Sequence, residues 1–177
     1  MEIMSRGGNS LLSKNFIGLE PDTIYRFGNK VENLIKDIYK DFKKVNCTAT
    51  LENGIFTVTS NTTSDCGIGK GFSDLLKLNK TYTIGYKLKI NTSESTCKER
   101  IMICKNGGWY PVLYGLTKEI TSDGTEWIDI KIKFTNTELT STNILLGING
   151  FKDVTFYIKE IFLVEGDYTN KKLPDIF

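Results

Sequence analysis

In Thr81-Tyr82-Thr83-Ile84-Gly85-Tyr86-Lys87-Leu88-Lys89-Ile90, the residues Tyr82, Ile84, Tyr86, Leu88 and Ile90 share one parity, and Thr81, Thr83, Gly85, Lys87 and Lys89 the other. Trp127-Ile128-Asp129-Ile130-Lys131-Ile132-Lys133-Phe134 repeats the pattern, with four apolar residues set against Trp127, Asp129, Lys131 and Lys133. A period of two marks an extended strand, because successive side chains leave opposite faces of a sheet. Apolar residues alternating with polar ones add that one face is packed and the other wet, the habit of antiparallel sheets. Ile84, Leu88, Ile128, Ile130, Ile132 and Phe134 are therefore expected in a core.

Outward from these runs, shorter strands are predicted at 48–51, 54–60, 66–72, 100–105, 109–114 and 143–149, and a weak one from Thr23 to Phe27. Polar turn signals separate them, among them Glu52-Asn53-Gly54, Asn106-Gly107-Gly108 and Ser122-Asp123-Gly124. In the last strand Val154, Phe156 and Ile158 share one parity while Ile161 and Leu163 share the other. Both sets reach one core only if an extra residue is inserted, so a β-bulge is predicted at Lys159-Glu160. Residues 30–45 break the pattern. Val31, Leu34, Ile35, Ile38, Phe42 and Val45 fall at helical spacing, and Asn29 stands where an N-cap would, so a helix covering one end of a sheet is predicted there. The expected fold class is all-β, an antiparallel β-sandwich of jelly-roll type with one short helix near the N-terminus. Its expected parts are an N-terminal extension with a first strand (1–20), the sandwich (21–166) and a C-terminal tail (167–177).

Composition removes several kinds of function. The 177 residues are 40% hydrophobic and 25% charged, which is ordinary for a globular domain. Lys+Arg 23 against Asp+Glu 21 leaves +2, too balanced for a nucleic-acid footprint. There is no histidine, which removes the commonest general base and metal ligand together. No apolar run is long enough to span a bilayer, so no membrane insertion is expected. The opening Met1-Glu2-Ile3-Met4-Ser5-Arg6 has no apolar signal core, so no secretory signal is expected. Cys47, Cys66, Cys97 and Cys104 lack CxxC spacing, leaving free thiols as one reading and a Cys97–Cys104 bridge across a hairpin as the other. Scattered carboxylates such as Glu99, Asp123, Glu126 and Asp129 show no pairing in an apolar setting that would tune one as a general acid, so no enzyme activity is expected.

Four stretches together resemble carbohydrate-binding-module-like jelly rolls. They are Gly7-Gly8-Asn9-Ser10-Leu11-Leu12-Ser13-Lys14-Asn15-Phe16, Leu78-Asn79-Lys80-Thr81-Tyr82-Thr83-Ile84-Gly85-Tyr86, Gly124-Thr125-Glu126-Trp127-Ile128 with the strand after it, and Phe156-Tyr157-Ile158-Lys159-Glu160-Ile161-Phe162-Leu163-Val164-Glu165-Gly166. The second lacks the glycine usual before the tyrosine, and residues 20–50 show no resemblance. Such domains occur in tail, baseplate and receptor-binding proteins of bacteriophages and in accessory modules of secreted glycan-active enzymes. The resemblance implies a non-catalytic virion domain for host-surface glycan attachment or assembly, found in the virion and outside the cell after lysis. It also implies a homo-oligomer, a trimer by family habit, in contact with other virion proteins. A purely structural decoration domain and an accessory module of a secreted enzyme are the alternatives. No cofactor is expected; the resemblance admits a structural calcium, for which Glu20, Asp22 or Asp153 would supply oxygens.

Sugar sites need flat rings for pyranose faces and a few polar groups for hydroxyls. Asn106-Gly107-Gly108-Trp109-Tyr110-Pro111-Val112-Leu113-Tyr114 is the best local match, which makes Trp109, Tyr110, Tyr114 and Asn106 the candidate ligand-binding residues. Capping one end of the core is the competing reading for Trp109 and Tyr110. Trp127, on the wet parity, reads as a ring at the sheet rim, and Lys87, Lys89, Asp129, Lys131 and Lys133 form the next surface to consider.

Overall fold

A computed structural model describes residues 23–26, 29–72, 75–91, 97–105, 112–120, 124–137 and 142–170, with backbone alone for 23–26, 29–30, 97–100, 102–105, 112–120 and 142. Twelve strands are present among them: β1 Thr23–Arg26, β2 Asn29–Glu32, β3 Lys43–Val45, β4 Cys47–Glu52, β5 Ile55–Ser60, β6 Cys66–Phe72, β7 Thr81–Asn91, β8 Cys97–Lys105, β9 Val112–Ile120, β10 Ile128–Thr135, β11 Thr142–Asn149 and β12 Thr155–Glu165. Sheet I has the order β10-β7-β12-β5-β4, sheet II the order β3-β6-β11-β8-β9, and β1 and β2 form a hairpin. Every pairing is antiparallel. From β5 on, the chain repeatedly crosses between the sheets, so the last two strands, β11 and β12, fill their centres. This is an antiparallel β-sandwich with jelly-roll winding.

The core lies between the sheets. Phe56, Val58, Ile84, Leu88, Ile90, Phe156 and Ile158 of sheet I meet Cys66, Ile68, Ile101, Ile144, Leu146 and Ile148 of sheet II, all of them fully buried. Each such aliphatic or aromatic side chain contributes about 1.5–3 kcal/mol of burial energy. Ile130 and Phe134 are buried as their parity requires, whereas Ile128 and Ile132 are only half-buried. The reason is position: β10 is an edge strand, with β7 on one side only.

The bulge in β12 stands where the parity argument puts it. Lys159 opposes Lys87 and Phe162 opposes Gly85, so Glu160 and Ile161 together face the single residue Tyr86. Glu160 takes φ 53, a left-handed conformation rare for a residue with a side chain. The inserted residue returns Ile161 and Leu163 to the core and turns Phe162 and Val164 outward, where they are nevertheless buried against Val31 and Tyr168. Gly85 makes room for this, since a Cβ there would collide with the Phe162 ring.

The helix expected at 30–45 does not form. That segment holds β2, one 3-10 turn (Lys36–Tyr39) and β3. Beyond Ile158, β12 parts from β5, and the exposed backbone edge is taken over by residues 33–39. The buried Asn33 accepts from the Leu163 amide (3.0 Å) and the Ile35 amide (3.2 Å) and donates to the Ile161 carbonyl (3.1 Å). The Leu34 amide donates to the Leu163 carbonyl (2.8 Å), and the Ile161 amide donates to the Tyr39 hydroxyl (3.0 Å). A continuous helix would withdraw the Leu34 amide and reorient Asn33, leaving buried strand groups unpaired. The helical spacing reflects a different packing: Ile35 and Ile38 are fully buried, and Tyr39 and Phe42 pack on Phe56 at 5.7 and 4.6 Å between ring centroids. Asp41, at φ 52, then turns the chain into β3.

Two smaller expectations also change. The strand expected at 109–114 is observed at Val112–Ile120, offset toward the C-terminus. Cys97 and Cys104 lie in one strand, β8, seven residues apart. At ~3.3 Å per residue they are roughly 23 Å apart, far beyond disulfide reach, so a bridge between them within the chain is excluded. Cys47 and Cys66 are buried thiols, neither in a disulfide.

Candidate functional site

The outward positions of the two sheets differ. On β6 and β11 of sheet II, Gly67, Gly69, Asn143, Leu145 and Gly147 are all buried. A Cβ on Gly67 or on Gly147 would collide with the facing backbone, so neither position tolerates a side chain. On sheet I before the bulge, the outward residues are half-buried or exposed and chemically varied. Thr155, Tyr157 and Lys159 of β12 stand beside Lys87 and Lys89 of β7, and beside Thr57 and Thr59 of β5. Thr48 and Thr50 of β4 extend the same rows.

At the centre of this surface, lysines sit on aromatic rings. The Lys89 ammonium is 4.8 Å from the Tyr157 ring centroid and 5.4 Å from that of Trp127, and Lys159 is 4.4 Å from Trp127. All three lie within cation–π range. The cause is register: Tyr157 is directly opposite Lys89, and Trp127 immediately precedes β10. Trp127 is thus a half-buried ring at the sheet rim, as its parity and position predict. The bulge supplies the balancing charge. Glu160 meets Lys87 at 2.7 Å and Lys159 at 3.3 Å. Partial burial pushes its carboxyl up, but hydrogen bonds from Lys87 and Lys159, with their charges, outweigh this and hold it below the ordinary carboxylate range. Farther along β10, Lys133 pairs with Asp167 at 2.7 Å, and its hydrogen bond, with those from Thr169, holds that exposed carboxyl well below its usual range. Both shifted carboxylates move toward the ionised state, opposite to the shift a general acid needs.

Of the residues singled out from sequence, Asn106, Trp109 and Tyr110 lie outside the described residues. Tyr114 lies in β9, opposite Ile103 of β8. Tyr82 and Tyr86 are fully buried in the core, as their parity predicts. Tyr157 and Glu160 join the surface although no local sequence signal marks them as site residues; the bulge argument places only Tyr157, on the face opposite Phe156. For a cation, Glu20 and Asp22 lie outside the described residues, and Asp153 is exposed beside Lys152 at 3.9 Å. Among the described residues no three Cys, Asp or Glu side chains gather in a way that could hold a metal. No helix among them is long and apolar enough to cross a membrane.

No family model and no curated protein matches the sequence. Solved structures do match. The CBM22-2 xylan-binding domain of Paenibacillus barcinonensis Xyn10C aligns with a TM-score of 0.57 at 9% identity, over 72% of this chain and 92% of that one. A family 4 carbohydrate-binding module aligns with a TM-score of 0.56 at 16% identity, over 71% and 94%. Tailspike protein 4 of bacteriophage CBA120 aligns with a TM-score of 0.55 at 11% identity, over 76% of this chain and 21% of that one. At these identities the likeness is one of fold: the chain has the jelly-roll sandwich of carbohydrate-binding modules.

Proposed function

We propose that this chain is a non-catalytic glycan-binding domain. The observation that carries the reading is the sandwich itself, which matches most of the length of a xylan-binding module and of a family 4 module. Fold alone does not dictate function; the aromatic residues on and beside the sheets supply the chemistry that stacks on sugar rings. The contact we assign first is Trp109 and Tyr110, with Asn106 and Tyr114 near. In the sequence Gly107-Gly108 and Pro111 flank these rings, and a frame of that kind would limit the entropy lost on binding.

The finer reading is a virion domain that attaches to host-surface glycan, assembled as a trimer with other virion proteins. The tailspike likeness supports it. The xylanase modules support the alternative, an accessory module of a glycan-active enzyme. A glycan array on the purified chain, run beside light scattering, tests the whole reading. Glycan binding by an oligomer favours the virion role, and binding by a monomer favours the accessory module. An oligomer that binds no glycan is a structural domain, and the proposal falls. For the contact residues, Trp109→Ala with Tyr110→Ala is expected to weaken binding by roughly tenfold or more while the circular dichroism spectrum is retained. Variants that melt far earlier than wild type would make these rings core residues instead.

A further inference from the structure

We infer that the open half of the outer face of sheet I binds an anionic polysaccharide, one whose sugars carry carboxylate or phosphate groups. This rests on the glycan-binding reading above and specifies a ligand class for a second surface of the domain.

Three observations carry it. The first is charge. Lys87, Lys89, Lys131 and Lys159 occupy outward positions on adjacent strands, against Asp129, the carboxylate of Glu160 and, at the far edge on β4, Glu52. Glu160 is shared by Lys87 and Lys159, so one carboxylate orders two ammoniums. It does so from a left-handed backbone position where glycine would be the cheaper residue. Lys89 has ring faces for neighbours, and no ion pair among the described residues includes it. An ammonium on a ring face keeps donors for an incoming anion.

The second observation is the rings. A neutral sugar stacking on a Trp127 face that Lys89 or Lys159 covers would displace that ammonium and offer it no charge in return. A sugar bearing a carboxylate or phosphate gives the displaced ammonium a stronger partner than the ring it leaves.

The third is the floor. Tyr157, Thr57 and Thr50 form one row across β12, β5 and β4, and Thr155, Thr59 and Thr48 form the next. The Thr59 and Thr155 hydroxyls are already 2.9 Å apart. From β7 to β4 is three strand spacings of ~4.8 Å, roughly 14 Å, so the surface accommodates several sugars lying across the strands. Threonine hydroxyls both donate and accept, as sugar hydroxyls require.

Calorimetry on the full chain at low ionic strength tests this with polygalacturonate as the carboxylate probe, phosphomannan as the phosphate probe, xylan as the neutral probe and poly-glutamate as a charged polymer without sugars. At least one charged glycan is expected to bind more tightly than poly-glutamate, and to weaken as salt shortens the screening length. Lys89→Gln is expected to weaken that binding about tenfold, and Trp127→Ala by at least as much, with xylan affinity unchanged in both. If Trp127→Ala melts early, Lys89→Gln decides alone, since it replaces only an outward side chain. Unchanged charged-glycan binding in Lys89→Gln, or poly-glutamate bound as tightly as the glycans, overturns the inference. Binding of xylan without either charged glycan overturns it and leaves the glycan-binding reading standing; binding of no glycan at all overturns both.

Discussion

The two halves of β12 show what one inserted residue does to a sheet. Up to Lys159, the outward side chains Thr155, Tyr157 and Lys159 remain partly exposed among lysines and threonines. After Glu160, the outward side chains Phe162 and Val164 are sealed beneath Val31 and Tyr168. Both halves pair with the same strand, β7. The difference comes from what covers them. Past the bulge β12 loses β5 as its neighbour, and the 33–39 segment and residues 166–168 close around it. The Thr83 hydroxyl ties in that end of the chain, donating to the Gly166 carbonyl at 2.7 Å and accepting from the Tyr168 amide at 2.9 Å. One half of the face is committed to stability, which leaves the other free to carry rings and charge.

The largest expected effect tests whether the halves differ in this way. Phe162→Ala should cost about 3–4 kcal/mol in chemical denaturation, because it empties a sealed position, whereas Tyr157→Ala should cost about 1 kcal/mol or less. Equal costs would erase the distinction. The next effect concerns the seam between the halves. Asn33→Ala removes three hydrogen bonds and leaves the Ile161 carbonyl and the Leu163 amide unpaired inside the fold. A loss of about 2–3 kcal/mol is expected, and hydrogen exchange at Leu163 should accelerate more than at Ile158. Uniform acceleration along β12 would show that Asn33 does not hold the seam.

The smallest effect lies in the open half. The Glu160 carboxyl titrates below its unfolded value of ~4.3, so its contribution is complete above that value and is lost as pH falls through the lower folded value. Glu160→Gln should therefore be less stable than wild type at pH 7, by about 1 kcal/mol or less because the group is partly solvated. The two melting curves should converge in acid. A gap that widens toward low pH would contradict the ion-pair account.

Much of this was legible in advance where the signal was local. Parity in 81–90 and 127–134 predicted the two strands and their facing, and the parity clash in 154–163 located the bulge to within one residue. The helical spacing of 30–45 misled because Ile35, Ile38 and Phe42 pack on the core through a turn and extended chain. What holds them there is Asn33 and Leu34 bonding to residues 128 and more positions away. The candidate site divides in the same way. Lys87, Lys89 and Trp127 could be placed on a wet face by parity, but Tyr157 and Glu160 join them only because β12 inserts between β7 and β5.

The sequence by itself determined the fold class, the inward and outward faces of the long strands, the position of the bulge and the absence of any histidine-based chemistry. These follow from nearest-neighbour periodicity and composition, which need no knowledge of partners. Only the tertiary structure decided which strands are neighbours, which end of the outer face is sealed, and that Lys89 lies between Tyr157 and Trp127. Each of those depends on contacts between segments far apart in the chain. Such contacts are set by the energy of the whole packed sandwich, so no single stretch of residues carries them.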